Sequence, residues 1–405
     1  MARTWGTTRR APALVAFVAA LVTLAGCTGS TDPSRPTATV PSPVAPDTAS
    51  ASPTITLRSV APKGLLVGSS VAGGGKSTDG AEPLDVDPAY RQLLRTQFST
   101  LTPENALKWI NVEPARDQYD FAVGDAIVAF AEQHGEQVRG HNLMWYRSNP
   151  TWLTKGNFTA DELRQILHDH ISTVVGHYKG KMAAWDVANE IFDQSGKLTP
   201  GNPFTDKLGI GIVADAFRWA HEADPAAVLY LNDFNVETST TKRQAYLDFI
   251  QQLQAQGVPI GGMGIQSHLS LQTRTFPKDY GKTLKAFADL GIDVAVTELD
   301  VTIPAQGDQP STAPTSTAAP GSAKGSTVQP TAAQLATQAS WYTKVVQACL
   351  AVPRCVSITM WGVPDDYSWV PGTGPDHGAG TPFADDVTPK PAFAALVAAL
   401  QQGRT

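Results

Sequence analysis

Short apolar runs alternate along most of this chain with longer stretches of helical periodicity. Strand-like runs occupy Leu65–Ser69, Phe98–Leu101, Val138–Trp145, Ala183–Val187, Val228–Asn232, Gly262–His268, Asp293–Thr297 and Val356–Trp361. Amphipathic helical stretches lie between and after them, at Tyr90–Arg95, Val123–His134, Ala160–Tyr178, Gly211–Ala223, Thr241–Gln256, Lys282–Leu290, Ala332–Leu350 and Pro391–Leu400. Asp161 is placed to open one helix, with Gly180 after its end, and Gly257 and Gly291 sit just past two others. Eight strands alternating with helices predict an α/β protein built as a single (β/α)8 TIM barrel, with a doubly wound open sheet as the runner-up.

The residues at the ends of the runs favour the barrel. Glu104, Asn105, Lys108 and Trp109 follow the second strand, His141 and Trp145 close the third, and Asn189 and Glu190 end the fourth. Asn232 and Asp233 end the fifth, Gln266, Ser267 and His268 the sixth, Glu298 and Asp300 the seventh, and Trp361 the eighth. A (β/α)8 barrel gathers its active site at that face. Glu190 and Glu298 then stand at the lip as two carboxyls. Such a pair suits glycosidic bond cleavage, where one group protonates the leaving oxygen while the other attacks or activates water.

Export is written into the N-terminus. Arg3, Arg9 and Arg10 precede an apolar stretch, Ala11–Ala25, that is short for a bilayer span. It ends in Leu24-Ala25-Gly26-Cys27, which resembles a bacterial lipobox and implies a lipid on the Cys27 sulfur; an ordinary signal peptide is the alternative. Residues 1–26 are thus expected as leader and 27–60, rich in Ser, Thr, Pro and Ala, as a disordered tether. The catalytic domain is expected over 61–402, with a low-complexity insertion at 304–330 read as an elaborated loop. Cys349 and Cys355 flank five residues, and a disulfide suits them in an oxidising compartment; without a suitably placed histidine pair they make no zinc site. No metal or other cofactor is implied. The net charge of −6, with no basic stripe, argues against nucleic acid as a partner. Membrane contact is expected only through the N-terminal lipid, and the enzyme is expected to be a monomer. Gly73-Gly74-Gly75-Lys76-Ser77-Thr78 mimics a phosphate loop, but Ser70 stands where that motif needs glycine.

Thr102-Pro103-Glu104-Asn105-Ala106-Leu107-Lys108-Trp109, Val138-Arg139-Gly140-His141, Trp185–Glu190, Leu231-Asn232-Asp233, Gly264–His268, Thr297–Asp300 and Trp361-Gly362-Val363 occur in an order that resembles the glycoside hydrolase family 10 endo-β-1,4-xylanases. The resemblance covers about Ala61 to Val397. It implies retaining hydrolysis of xylan or xylo-oligosaccharides, with Glu298 as nucleophile and Glu190 as acid and then base. It further implies that Gln266 holds Glu190, that His268 with Asp300 behind it orients Glu298, and that Asn189 bonds the sugar 2-hydroxyl. Glu104, Asn105 and Lys108 would clamp the sugar on the non-reducing side, and His141, Trp145, Trp361 and Trp369 would surround the sugar being cleaved. Trp109, Trp152 and Trp185 read as packing residues.

Three positions depart from the family pattern. Tyr146 and Ser148 stand where His and Gln are usual, and Phe234 replaces a tyrosine; the segment from Asp193 to Phe204 also lacks the usual arginine. Altered subsite preference or lower activity on plain xylan is the expected consequence. Two other readings stay open at this stage: another β-1,4-glycanase of the same barrel type, and a sugar-binding lipoprotein of weak catalytic power.

Overall fold

The computed structural model describes residues 55–74, 81–304, 329–370 and 377–404. Eight parallel strands, Leu66–Val71, Thr100–Pro103, Gln137–His141, Ala184–Asn189, Val228–Asp233, Gly262–Ile265, Asp293–Pro304 and Cys355–Met360, pair in chain order. The eighth returns to the first (Leu66 opposite Ser357), which closes the barrel expected from the sequence. Both faces of a parallel barrel strand are buried, so its strands read as unbroken apolar runs. Inside, large and small side chains alternate: a methyl group at Gly140 would meet the Trp185 ring at 2.2 Å.

Each long helix lays its apolar stripe on the outside of the barrel. Helix Ala160–His177 buries Leu163, Ile166, Leu167, His170, Ile171, Val174 and Val175. Its N-cap is Thr159 rather than Asp161, because Thr159 and Glu162 form a reciprocal capping box. Gly180, Gly257 and Gly291 do adopt positive φ just past their helices. Short helices at Leu57–Val60, Pro83–Val86, Trp109–Val112, Thr151–Lys155 and Thr205–Leu208 add to the predicted set.

Two boundaries differ from expectation. Leu57 is fully buried in the core, and Arg58 bonds the carbonyls of Arg95 and His134, so the folded part begins before Ala61 and takes in the end of the expected tether. The apolar run Gly262–His268 is really two strands, since Ser267 turns the chain with φ +63° and a separate strand, His268–Ser270, follows. Cys349 and Cys355 are disulfide-bonded. Closing so short a loop contributes about 2 kcal/mol in the chain-entropy model. Cys27, the leader, most of the tether, residues 305–328 of the insertion and Gly75–Thr78 of the false phosphate loop lie outside the described residues.

Candidate active site

The fourth and seventh strands bring Glu190 and Glu298 to the same end of the barrel, both largely buried. Glu190 leaves its strand with φ +56°, an uncommon conformation for a side-chain-bearing residue and one that structure must hold in place. Its backbone is pinned on both sides. The Glu190 N–H donates to the Asn232 carbonyl at 2.9 Å, and the next N–H, of Ile191, donates to the Tyr246 hydroxyl at 3.1 Å. Tyr246 in turn donates to Asp233, which also holds Lys242 at 2.7 Å. Burial lifts the Asp233 carboxyl to about 7, against the pull of Lys242. This tyrosine–aspartate–lysine unit lies wholly inside the protein and supports the turn that aims Glu190.

The Glu190 carboxyl receives the Trp145 indole N–H on Oε2 at 2.9 Å and the Gln266 amide on Oε1 at 3.1 Å. Glu298 is held by different groups. Asn232 donates to its Oε1 at 2.7 Å, and His268 Nε2 meets its Oε2 at 3.2 Å. The same Asn232 nitrogen contacts Asn189 Oδ1 at 2.9 Å, so one amide pair bridges the two carboxylate neighbourhoods. In the opposite Asn189 orientation its amide would donate to the Asn232 carbonyl and its oxygen would accept from the Trp145 indole, each at 3.2 Å, but the two side-chain amide nitrogens would then stand 2.9 Å apart. Thr297 fixes the Asn232 orientation by donating to its oxygen at 2.6 Å. Space for this amide comes from Gly264, where a Cβ would sit 2.2 Å from Asn232 Oδ1.

Behind Glu298 stands a relay of charge. His268 and Asp300 are opposite each other in the register of the two strands, and His268 Nδ1 meets Asp300 Oδ2 at 2.8 Å. The Trp369 indole donates to the same Asp300 oxygen at 2.8 Å, with its ring 4.7 Å from that of His268. Burial alone would lower the His268 imidazole, but the Asp300 and Glu298 carboxylates overcome it and raise His268 to about 10. The effect on Glu298 is the reverse. Burial pushes its carboxyl up, yet the His268 hydrogen bond and the His141 and His268 charges leave it below the ordinary carboxylate value. Glu298 is therefore an anion held between an imidazolium and an amide, as a nucleophile requires.

Beside them, Lys108 donates to Asn105 at 2.9 Å and lies 5.2 Å from the Trp145 ring centre. Burial raises the Glu104 carboxyl, and it lowers the Lys108 ammonium against the pull of Glu104, Glu298 and Glu190. Trp361 meets the His141 ring edge-on at 5.3 Å, and His141 Nδ1 is tied to Asp186 at 3.0 Å. Asp186 also pairs with Arg139, whose guanidinium lies over Tyr230 at 4.2 Å, so this aspartate is a buried structural anchor for His141. The expected packing tryptophans do pack: Trp109 stacks on His170 at 3.5 Å, Trp152 meets Trp109 edge-on, and Trp185 is fully buried.

The expected carboxylates, their neighbours Asn189, Gln266, His268 and Asp300, and the expected sugar-contact residues thus lie at one end of the barrel, whereas the Cys349–Cys355 bridge sits where the last strand begins. The chain-end pattern pointed to Asn232 and Asp233 only as strand-end polar groups; that Asn232 joins the two glutamates was not readable. Of the divergent positions, Tyr146 is half-buried near enough to Glu190 that the carboxylate, after burial, raises its phenol. Its hydroxyl accepts from Arg147 at 2.8 Å. Ser148 sits at a positive-φ turn (+53°) whose carbonyl accepts the Ile110 N–H at 2.8 Å. The Phe234 ring faces Lys242 at 4.1 Å. Among the described residues no cluster of His, Cys, Asp and Glu is arranged to hold a metal ion.

Comparison with known proteins gives the same picture. Residues 61–399 match the family model described as Glycosyl hydrolase family 10. The chain is 37% identical over 324 residues to an endo-1,4-beta-xylanase of Agaricus bisporus, covering 80% of this chain and 89% of that protein. Among solved structures it resembles native xylanase 10B from Thermotoga maritima, with TM-score 0.74 and 33% identity over 86% of this chain and 98% of the other. Xylanase 10B from Thermotoga petrophila, solved in complex with xylobiose, gives TM-score 0.74 and 31% identity over 87% and 99%.

Proposed function

The chain belongs to glycosyl hydrolase family 10, and on that premise we propose that it is an endo-1,4-β-xylanase acting on xylan and xylo-oligosaccharides by double displacement. The observation that carries this reading is the unequal treatment of its two buried glutamates. Glu298 is kept anionic between His268 and Asn232, whereas Glu190 is met by neutral N–H donors, from Trp145, Gln266 and Asn189. Glu190 gives its proton to the glycosidic oxygen as Glu298 attacks the anomeric carbon, which breaks the bond to the leaving sugar and leaves a glycosyl ester on Glu298. Water then attacks that carbon, Glu190 takes the water proton, and the Glu298 carboxylate is released. Asn189 is placed to bond the 2-hydroxyl. Glu104, Asn105 and Lys108 hold the neighbouring sugar, and His141, Trp145, Trp361 and Trp369 close around the one being cleaved.

Hydrolysis by the full chain tests this directly. Fast release of short xylo-oligosaccharides from β-1,4-xylan, with carboxymethyl-cellulose little attacked, is expected; the opposite preference would make it a cellulase-type glycanase.

The divergent lip carries a narrower proposal. With Tyr146 and Arg147 paired beside Glu190 and the smaller Ser148 in place of a glutamine, substrate contacts next to the reacting sugar are altered. A Tyr146→His/Ser148→Gln variant is expected to change turnover of xylo-oligosaccharides by about 3- to 10-fold, the worth of one or two hydrogen bonds. Equal turnover by variant and wild type would remove any role for these positions.

We place the enzyme outside the cytoplasmic membrane as a monomer, held by lipid on Cys27. The basic and apolar N-terminal stretch, its Leu24–Cys27 box and the Cys349–Cys355 disulfide support that location.

A further inference from the structure

Directly after the strand that carries His268, the chain builds an open groove of about 490 Å³ whose walls include Arg274, Phe276, Lys278, Tyr280, Trp341 and Lys344. Its floor is aromatic: Phe276 lies 5.2 Å from the buried Tyr280 ring and 5.7 Å edge-on from the buried Trp341. Its rim is cationic. Lys344 stands 5.5 Å from the Phe276 ring centre, while Arg274 and Lys278 are exposed on the facing loop. Asp279, the acid of this segment, is taken by Lys282 at 3.1 Å, and Arg274, Lys278 and Lys344 form no ion pair among the described residues. Gly281, in the first turn of the helix that opens at Tyr280, also lines the groove, so the positive end of that helix faces the same space. In a chain of net charge −6, a groove lined by three cations and an aromatic wall runs against the overall charge.

We propose that this groove is a second carbohydrate site, outside the catalytic cleft, for the uronic acid substituents of a decorated xylan chain. The sugar ring would lie on Phe276 and its carboxylate would be met by Arg274, Lys278 and Lys344. The neutral xylose backbone offers such cations nothing, so the site distinguishes acidic from plain xylan. Its first wall residue, Arg274, follows His268 by six residues, on the loop between the sixth barrel strand and the next helix, so the groove belongs to the barrel face that carries the site. The proposal rests on the xylanase reading above.

The test compares glucuronic-acid-bearing xylan with the same polymer after chemical reduction of its carboxyls to alcohols. In a Lys278→Glu/Lys344→Glu variant of the full chain, the half-saturating concentration of the acidic polymer is expected to rise about 3- to 10-fold, as the loss of two exposed ion pairs allows. Values on the reduced polymer and on xylotetraose should stay at the wild-type level, the latter also reporting an intact fold. Raising salt from 0.05 to 0.3 M should weaken wild-type use of the acidic polymer alone, as screening demands. An equal change on both polymers, or none on either, overturns the proposal. Binding of each polymer is measured as well in the Glu298→Ala background. Acid-selective binding without xylotetraose turnover in the wild type would sink the xylanase reading and keep the groove; turnover without acid-selective binding would do the reverse.

Discussion

Alanine at position 298 is expected to lower kcat on xylan by about 10⁴-fold or more, the scale on which enzymes respond to loss of a covalent nucleophile. The loss should be just as large on an aryl xylobioside, because the missing step is bond formation at the anomeric carbon, whatever the leaving group. Glu190→Ala should behave differently. It cripples xylan hydrolysis, where the departing sugar needs a proton, but leaves the first step on a nitrophenyl glycoside largely intact, since that leaving group departs as an anion. A burst of nitrophenol followed by slow turnover is the signature, and wild-type hydrolysis should yield the β-anomer first. Similar behaviour of the two variants on the aryl substrate would remove the division of labour inferred from their surroundings.

Asparagine at position 300 should act through His268. In the native protein that imidazole is raised from 6.5 to about 10 by Asp300 and Glu298. A group raised on folding stabilises fully below its unfolded value and loses that contribution as pH climbs through its folded value. Stability from His268 is therefore present below about pH 6.5 and fades toward pH 10. Glu298, lowered on folding, contributes above its ordinary 4.5 and loses the contribution as pH falls below its folded value. Asp300→Asn should cost on the order of 2–4 kcal/mol near pH 6.5 and flatten the decline toward pH 10. It also frees His268 to turn, so kcat at neutral pH should drop about 10²-fold through misplacement of Glu298. Thermal unfolding of both proteins from pH 6 to 10.5 decides the matter. Two parallel curves would mean that His268 carries no such linkage.

The barrel was legible because its strands are buried on both faces, which leaves apolar runs that no solvent-facing residue interrupts. The strand ends were equally plain, since polar residues at the close of a buried run need a reason. What escaped the sequence has physical causes. Leu57 has only Ile55 and Val60 as large apolar neighbours in its stretch, too few for a period to betray its burial. Helices of four or five residues carry too little periodicity to register. At Ser267 the backbone turns through a positive φ between two strands that the strand-like run Gly262–His268 had joined into one, a break that composition does not encode. The Asn232 link to Glu298 spans 66 residues of sequence. Such pairing becomes visible only when register sets both side chains on the same ring, as it does for His268 opposite Asp300.

Arg58 grips the carbonyl ends of the two helices that lead into the second and third strands, so the chain enters the described fold at the end of the barrel remote from Glu190 and Glu298. A load attached upstream of Ile55, whether a bilayer, a bead or a fused partner, is thus joined at the foot of the barrel. Immobilisation through that end is expected to cost little turnover of a long xylan chain, because the point of attachment and the two glutamates lie at opposite ends of the barrel.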